Sequence, residues 1–71
     1  MNVNEVYKDF LNKVVDIGIP HLYLEGRLFF ITGTVIDVKD GFLTLKIKDG
    51  IRKIPFSDII EIKVSEGRYG K

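Results

Sequence analysis

Residues 33–64 read GTVIDVKDGFLTLKIKDGIRKIPFSDIIEIKV, and this stretch decides the fold. Valine and isoleucine alternate in it with polar residues, and two Asp-Gly pairs and one proline interrupt the alternation. Runs of β-branched and aromatic residues bounded by such pairs are typical of short antiparallel strands joined by tight turns. We therefore predict a meander of strands here, onto which the preceding residues pack as a helix and one hairpin.

Turn residues divide the predicted sheet, which spans about residues 21–64, into five strands. A first strand over residues 21–24 is followed by a turn at Glu25-Gly26, and the second strand bends at Gly33, because a glycine inside a strand typically marks a bulge. We predict strand two over residues 27–38, a turn at 39–41, strand three over 42–48 and a type I′ turn at Asp49-Gly50. Strand four follows over 51–56, with Pro55 at its end or at a sheet edge. Ser57-Asp58 then form a corner held by side-chain to backbone hydrogen bonds, before strand five over 59–64 and a frayed tail over 65–71.

The residues before the sheet predict one amphipathic helix over about residues 4–17. Gly18 and Pro20 then supply the usual signals for the end of a helix. Apolar residues recur in this segment at intervals of three and four, which is the stripe of a helix that packs on a core: Val6, Tyr7, Phe10, Leu11, Val14 and Val15.

Length and composition describe a single small domain over residues 1–71. A chain of this size buries only about 60% of the surface that its unfolded form exposes. It has no cysteine and a single histidine, His21, so neither a disulfide nor a metal site is expected. Because 45% of the residues are hydrophobic, we expect the chain to self-associate and so bury the apolar surface that a single copy leaves exposed. The net charge is +1, without a signal peptide or a membrane-spanning run, so we expect a cytoplasmic protein with no membrane partner and no cofactor.

The last two predicted strands are short and apolar, and no later element covers their edges. Exposed apolar edges invite pairing with another chain. If strand four of one subunit pairs with strand five of the next, a closed ring removes every edge. The pattern therefore predicts a homo-oligomer.

A helix followed by a mainly β, five-stranded, strongly bent SH3-like small barrel resembles the Sm-like (LSm) family. Within that family the chain is most similar to an archaeal-type member of the Hfq branch. The resemblance covers roughly residues 4–64. It rests on three motifs: residues 33–35, the turn at 40–42 that leads into strand three, and residues 54–59.

The resemblance implies a ring, a homohexamer or else a heptamer, that binds single-stranded, U-rich RNA as an RNA chaperone. It implies that the turn before strand three supplies a base-stacking residue, either Phe42 or Asp40, next to Gly41. It also implies that the corner after strand four lines the pore, which places Phe56, Ser57 and Asp58 there. Bacterial Hfq carries a Lys-His pair at that corner, and this chain does not. The resemblance therefore does not imply the complete uridine-binding pocket of bacterial Hfq in this chain.

Each candidate RNA contact also has a purely structural interpretation. Phe42 stacks on a base, or it packs against the helix or a neighbouring subunit. Ser57 and Asp58 contact a base or ribose, or they only form the turn. The basic residues near the hairpin between strands three and four bind phosphates, or they form a solvated edge that prevents sheet stacking: Lys46, Lys48, Arg52 and Lys53.

Two further hypotheses remain beside the RNA-binding ring. Residues 33–59 also resemble the C-terminal barrel of ribosome-maturation factors of the RimP type, where it contacts protein and ribosome. Alternatively, the ring is structural and binds no RNA. We do not expect an enzyme, because the sequence contains no recognisable acid-base or nucleophile set around His21 or elsewhere.

Overall fold

A computed structural model of the protein describes residues 3–65. That part of the chain is mainly β, with one short helix and five antiparallel strands in a single open sheet. The elements are α1 (Val3–Lys8), β1 (Val14–Pro20), β2 (Leu28–Lys39), β3 (Phe42–Ile47), β4 (Gly50–Pro55), a 3-10 turn (Phe56–Asp58) and β5 (Glu61–Val64). Within residues 3–65, no helix is long and apolar enough to cross a membrane.

The predicted helix over residues 4–17 is wrong beyond Lys8, because residues 9–13 form turns and strand β1 begins at Val14. Asn12 adopts a left-handed φ of 68°, and its N–H donates to the Val35 carbonyl at 2.7 Å. The chain is thus already paired with β2 before Val14. The apolar spacing here fits both a strand and a helix. Val15 and Ile17, both fully buried, are two residues apart as on one face of a strand, and each also lies three or four residues after another apolar residue, as in a helix. The β-branched residues favour the strand.

Because β1 begins early, the strand predicted over residues 21–24 is also wrong. Residues 21–27 form the loop between β1 and β2. Gly18 and Pro20 end no helix, since both lie inside β1. The turn predicted at Glu25-Gly26 is present at the end of this loop, with Gly26 at a φ of 81°.

The turn before β3 is confirmed and the turn after it differs. Asp40 and Gly41 have φ angles of 56° and 82°, the pair of positive values that a type I′ turn requires. The type I′ turn predicted at Asp49-Gly50 is wrong in two respects: the loop lies one residue earlier in the chain, and its type differs. Ile47 pairs directly with Gly50, so Lys48 and Asp49 form the loop, and neither of these two has a positive φ.

The second strand runs over Leu28–Lys39, close to its prediction, and its irregularity lies after Gly33. Val35 pairs with Leu45 and Asp37 pairs with Thr44, so Ile36 is the extra residue of a β-bulge. The bulge resets the alternation of the strand. Ile31 and Val35 face the core before it, and Val38 faces the core after it.

The strand order is β4-β3-β2-β1-β5, so the consecutive strands β4 and β5 form the two opposite edges. In a flat five-stranded sheet these edges would lie about 19 Å apart. The connection between them is residues 56–60 and includes a 3-10 turn, which rises only about 2 Å per residue. The sheet therefore has to curl. Its concave face encloses the core: Val15, Ile17, Ile31, Val35, Val38, Leu43, Leu45 and Ile54.

The end of the sheet agrees with the prediction in part. Pro55 ends the edge strand β4, as expected for a residue without an N–H. Strand five begins at Glu61, two residues later than predicted. Ser65, assigned to a frayed tail, is buried, and its N–H donates to the Val14 carbonyl at 2.8 Å. The rest of that predicted tail, residues 66–71, lies outside the described residues.

Candidate nucleic-acid interface

Two turns that are distant in the sequence meet at one end of the sheet. The Phe56 N–H donates to the Gly41 carbonyl at 2.9 Å, which ties the 3-10 turn to the β2–β3 turn. Phe42 lies opposite Pro55 in the ladder between β3 and β4. We call this surface the Phe42 corner: Asp40, Gly41, Phe42, Lys53 and Phe56–Asp58. It unites seven of the ten residues that the sequence suggested as RNA contacts.

The Phe42 side chain lies on the convex face of the sheet and is 37% exposed. It is absent from the residues that pack on the core of the described chain. Lys53, on the neighbouring strand, places its Nζ 5.1 Å from the centroid of the Phe42 ring. At an exposed site such a cation–π contact contributes about 0.5–1 kcal/mol. The contact gives the corner an aromatic face with a positive charge beside it.

Phe56 has a different environment from Phe42, although both rings belong to the corner. It is half-buried and packs against the hydrophobic core. Its ring centroid is 4.5 Å from that of Tyr7, with an angle of 39° between the planes. This contact attaches the segment of α1 to the corner, so the described contacts of Phe56 are structural. Its contact with RNA stays a prediction.

The polar side chains of the corner are exposed and available to a ligand. Asp40, Ser57 and Asp58 all face solvent. The 3-10 turn closes through a backbone bond, in which the Ile59 N–H donates to the Phe56 carbonyl at 3.0 Å. Within residues 3–65, neither Ser57 nor Asp58 makes the expected side-chain to backbone hydrogen bond. Carboxylate and hydroxyl oxygens that do not serve the turn can accept hydrogen bonds from base amino groups or ribose hydroxyls.

The other basic residues named from the sequence do not join the corner. Lys46 and Lys48 are exposed at the opposite end of β3, near the β3–β4 turn. Arg52 pairs with Leu45, whose side chain is fully buried, so Arg52 belongs to the concave side of the sheet. The expected cluster of four cations therefore divides between both faces and both ends of the hairpin.

Comparison of the chain with protein-family models, with curated proteins and with solved structures finds no match. The candidate site thus rests on its geometry and on the sequence resemblance alone. Within residues 3–65 there is also no group of three or more histidine, aspartate and glutamate side chains placed to hold a metal ion.

A second concave surface, which the sequence did not suggest, lies at the C-terminal end of β1 and shares Asp58 with the Phe42 corner. This surface, which we call the His21 cleft, has a volume of about 550 Å³. Its lining combines aliphatic, aromatic and charged side chains: Ile19, Pro20, His21, Leu22, Tyr23, Phe29, Arg52 and Asp58. The only signal in the sequence was the apolar run between Pro20 and Gly26, and placing that run in a strand concealed the cleft.

Proposed function

We propose that this protein is an Sm-like, Hfq-type RNA-binding protein that assembles into a homo-oligomeric ring and performs no chemistry. The observation that carries the proposal is the exposed Phe42 ring with the Lys53 ammonium 5.1 Å from its centroid. Single-stranded nucleic acid binds to such pairs, because bases stack on aromatic faces while nearby cations neutralise phosphates. The SH3-like or Sm-like barrel is part of the same proposal, supported by the curled sheet with its five-strand order.

In the proposed complex one nucleotide occupies each Phe42 corner. The base stacks on Phe42, and the phosphate lies near Lys53. Asp40 and Asp58 are unsuited to phosphate because of their negative charge, so they would contact base amino groups or ribose hydroxyls. Stacking on one aromatic residue contributes about 1–3 kcal/mol per base and is tolerant of sequence. The preference for uridine rests on the family resemblance and not on the corner.

Ring assembly would compensate for the weak RNA affinity of a single site. The outer edges of β4 and β5 are open in the single chain, and they carry exposed apolar residues such as Ile51, 63% exposed, and Val64, 38% exposed. Pairing β4 of one subunit with β5 of the next covers both edges. Several corners then engage one RNA strand together, which raises the overall affinity without any new contact. A chaperone that holds RNA for pairing requires such dispersed, exchangeable contacts.

Native mass spectrometry of the full chain is the first test of the assembly. A particle of six times the 8.1 kDa chain mass supports the Hfq-type hexamer, and seven times supports the Sm-like ring in its heptameric form. A monomer at every concentration would contradict the ring. It would favour the RimP-like alternative, for which co-sedimentation with the small ribosomal subunit is the corresponding test.

RNA binding is tested by the fluorescence anisotropy of a labelled oligouridine strand with the wild type and two matched variants. Phe42→Leu keeps an apolar side chain but removes the aromatic face, so we expect binding weakened by about fivefold or more per engaged base. Phe30→Leu makes the same change at an aromatic that is 48% exposed on β2, away from the corner, and should bind as the wild type does. Equal weakening by both variants, or by neither, would reject the Phe42 corner as the site. A ring that does not bind RNA at low salt would support the structural-ring alternative.

A further inference from the structure

The loop between β1 and β2 carries an apolar tip that projects into solvent. Leu22 is 88% exposed, Tyr23 is 86% exposed and Leu24 is 51% exposed. Single exposed apolar residues are common on protein surfaces, but a contiguous group of large ones typically marks an interaction site. We call residues 22–24 the loop tip.

Hydrogen bonds fix the shape of the loop that carries this tip. The His21 Nδ1 accepts from the N–H groups of both Tyr23 and Leu24, each at 3.1 Å. The His21 N–H donates to the Arg27 carbonyl and the Arg27 N–H donates to the Leu24 carbonyl, both at 3.0 Å. A surface that is ordered before it meets a partner loses less conformational entropy on binding. The loop tip is therefore suited to docking.

The loop tip forms one wall of the His21 cleft through Leu22 and Tyr23, and the floor of the cleft is largely apolar. Ile19, Pro20 and Phe29 contribute that floor, and Phe29 is 48% exposed. The volume of about 550 Å³ falls within the range of concave sites that enclose a compact organic group. One molecule thus presents a projecting apolar group and an apolar cleft next to each other.

Charged residues accompany both the tip and the cleft, and their signs are complementary. Glu25 and Arg27 follow the tip in the loop, while Arg52 and Asp58 line the cleft. All four side chains are exposed, and within residues 3–65 none of them forms an ion pair within 4.0 Å. In a two-fold contact the same patch faces itself, so Glu25 and Arg27 of one tip could meet the oppositely charged Arg52 and Asp58 of the other cleft.

We propose that the occupant of the His21 cleft is the loop tip of a second copy of this chain. Two copies related by a two-fold axis insert Leu22 and Tyr23 reciprocally, and Glu25 of each meets Arg52 of the other. This isologous contact uses one residue of β4, Arg52, through its side chain on the concave side, and leaves the backbone of the outer edges of β4 and β5 free to pair. It therefore joins two rings face to face if the ring forms, and two single chains if it does not.

Sedimentation velocity over a range of concentrations tests the pairing with the full-length protein. The wild type should show a species of twice the basal mass, where the basal particle is the ring or the single chain. The double variant Leu22→Ser, Tyr23→Ser should lose that species, because truncation of a central interface aromatic typically raises a dissociation constant by about 30-fold or more. Both side chains are at least 86% exposed, so the fold should persist, as circular dichroism would verify. A doubled species that is unchanged in this variant would overturn the proposal.

A charge exchange identifies the two surfaces that meet. Glu25→Arg alone and Arg52→Glu alone each place like charges together twice across the two-fold axis, so each should weaken the pairing, by about tenfold for a change of 1.4 kcal/mol. An equimolar mixture of these two proteins restores one attractive contact of each kind and should regain the doubled species. If the mixture stays at the basal mass, tip and cleft do not meet. The wild type at the basal mass throughout, with RNA or a small aromatic compound bound in the cleft instead, would also reject the second copy as occupant.

Discussion

Gly33 and Gly18 both lie inside strands, but the space around their α-carbons differs. A Cβ added at Gly33 would lie 2.6 Å from the carbonyl oxygen of Lys46 and 2.8 Å from the Cγ of Leu45. The first is a backbone atom of a paired strand and the second belongs to a fully buried side chain, so neither can move cheaply. At Gly18 the nearest atom, at 2.9 Å, belongs to the ring of Phe30, which is 48% exposed.

From this difference we predict unequal effects of the same substitution. Gly33→Ala should lower the free energy of unfolding by about 1–3 kcal/mol, the usual cost of overpacking. Gly18→Ala should stay within about 1 kcal/mol of the wild type, because the Phe30 ring can shift and alanine restricts the unfolded chain. Urea denaturation of both variants at one protein concentration measures the two values. Equal losses would show that the ladder at Lys46 can relax.

At the scale of elements, the strands after Gly33 were predictable because their turns carry local chemistry. Asp40 and Gly41 supply the two positive φ angles of a tight hairpin, and the strands β2 and β3 on either side follow within about a residue of their predicted bounds. The Asp49-Gly50 pair predicted a hairpin correctly and its geometry incorrectly. A dipeptide marks where the chain reverses, while the register of the flanking strands determines which residues form the loop.

Strand β1 was not predictable from the same local rules. Its residues satisfy both a helical and an alternating pattern, and the choice between them depends on a partner that is distant in the sequence. The Asn12 N–H and the Lys13 carbonyl both bond to Val35, at 2.7 and 3.0 Å. A helix over residues 4–17 would place Asp16 on its polar face, but Asp16 is buried in β1 and its Oδ1 accepts a hydrogen bond from the Thr32 hydroxyl. Long-range pairing, not propensity, decides this segment.

The conformation of the loop that follows β1 depends on the His21 side chain. His21→Ala removes the acceptor for two backbone N–H groups, whereas His21→Asn keeps a short side-chain acceptor at the same position. We expect the Tyr23 and Leu24 amides to exchange with solvent several-fold faster in the alanine variant than in the asparagine variant. The net loss of global stability should be no more than about 1 kcal/mol, because the loop is exposed. Amide exchange followed by NMR gives both readings. Identical exchange in the two variants would mean that the backbone bonds of Arg27 hold the loop alone.

For the molecule as a whole, the candidate site was only partly predictable. The family resemblance supplied the residues of both turns as RNA contacts, but the contact between Gly41 and Phe56 was not predicted, since no local pattern joins residues that far apart. The cation at Lys53 and the position of Arg52 on the concave face follow from the β3–β4 register, in which Thr44 pairs with Lys53 and Leu45 with Arg52. The His21 cleft depends on how far the sheet curls, because it combines the end of β1 with a residue of β4 and a residue of the 3-10 turn.

The curled sheet leaves both of its edges open, and the proposed assembly depends on them. Ile51→Lys places a charge on the edge strand β4 at a side chain that is 63% exposed, so the folded chain should tolerate it. The lysine would remove an apolar contact with the neighbouring subunit and add a third cation to the Arg52 and Lys53 already on β4, and added charge on an edge disfavours pairing with another chain. We therefore expect the ring to dissociate to single chains, or to the two-chain unit that the His21 cleft would hold, with an unchanged circular dichroism spectrum.

Ile36→Lys is the matched control for this edge variant. Ile36 is 41% exposed, but it is the bulge residue of the central strand β2 and lies away from both edges. Native mass spectrometry of the two variants should give no particle larger than two chains for Ile51→Lys and the wild-type assembly for Ile36→Lys. The oligouridine affinity of the Ile51→Lys protein should then fall towards that of one Phe42 corner, since avidity requires linked sites. If this protein keeps the wild-type mass, the subunits do not pair through β4, and another surface of the chain must hold them together.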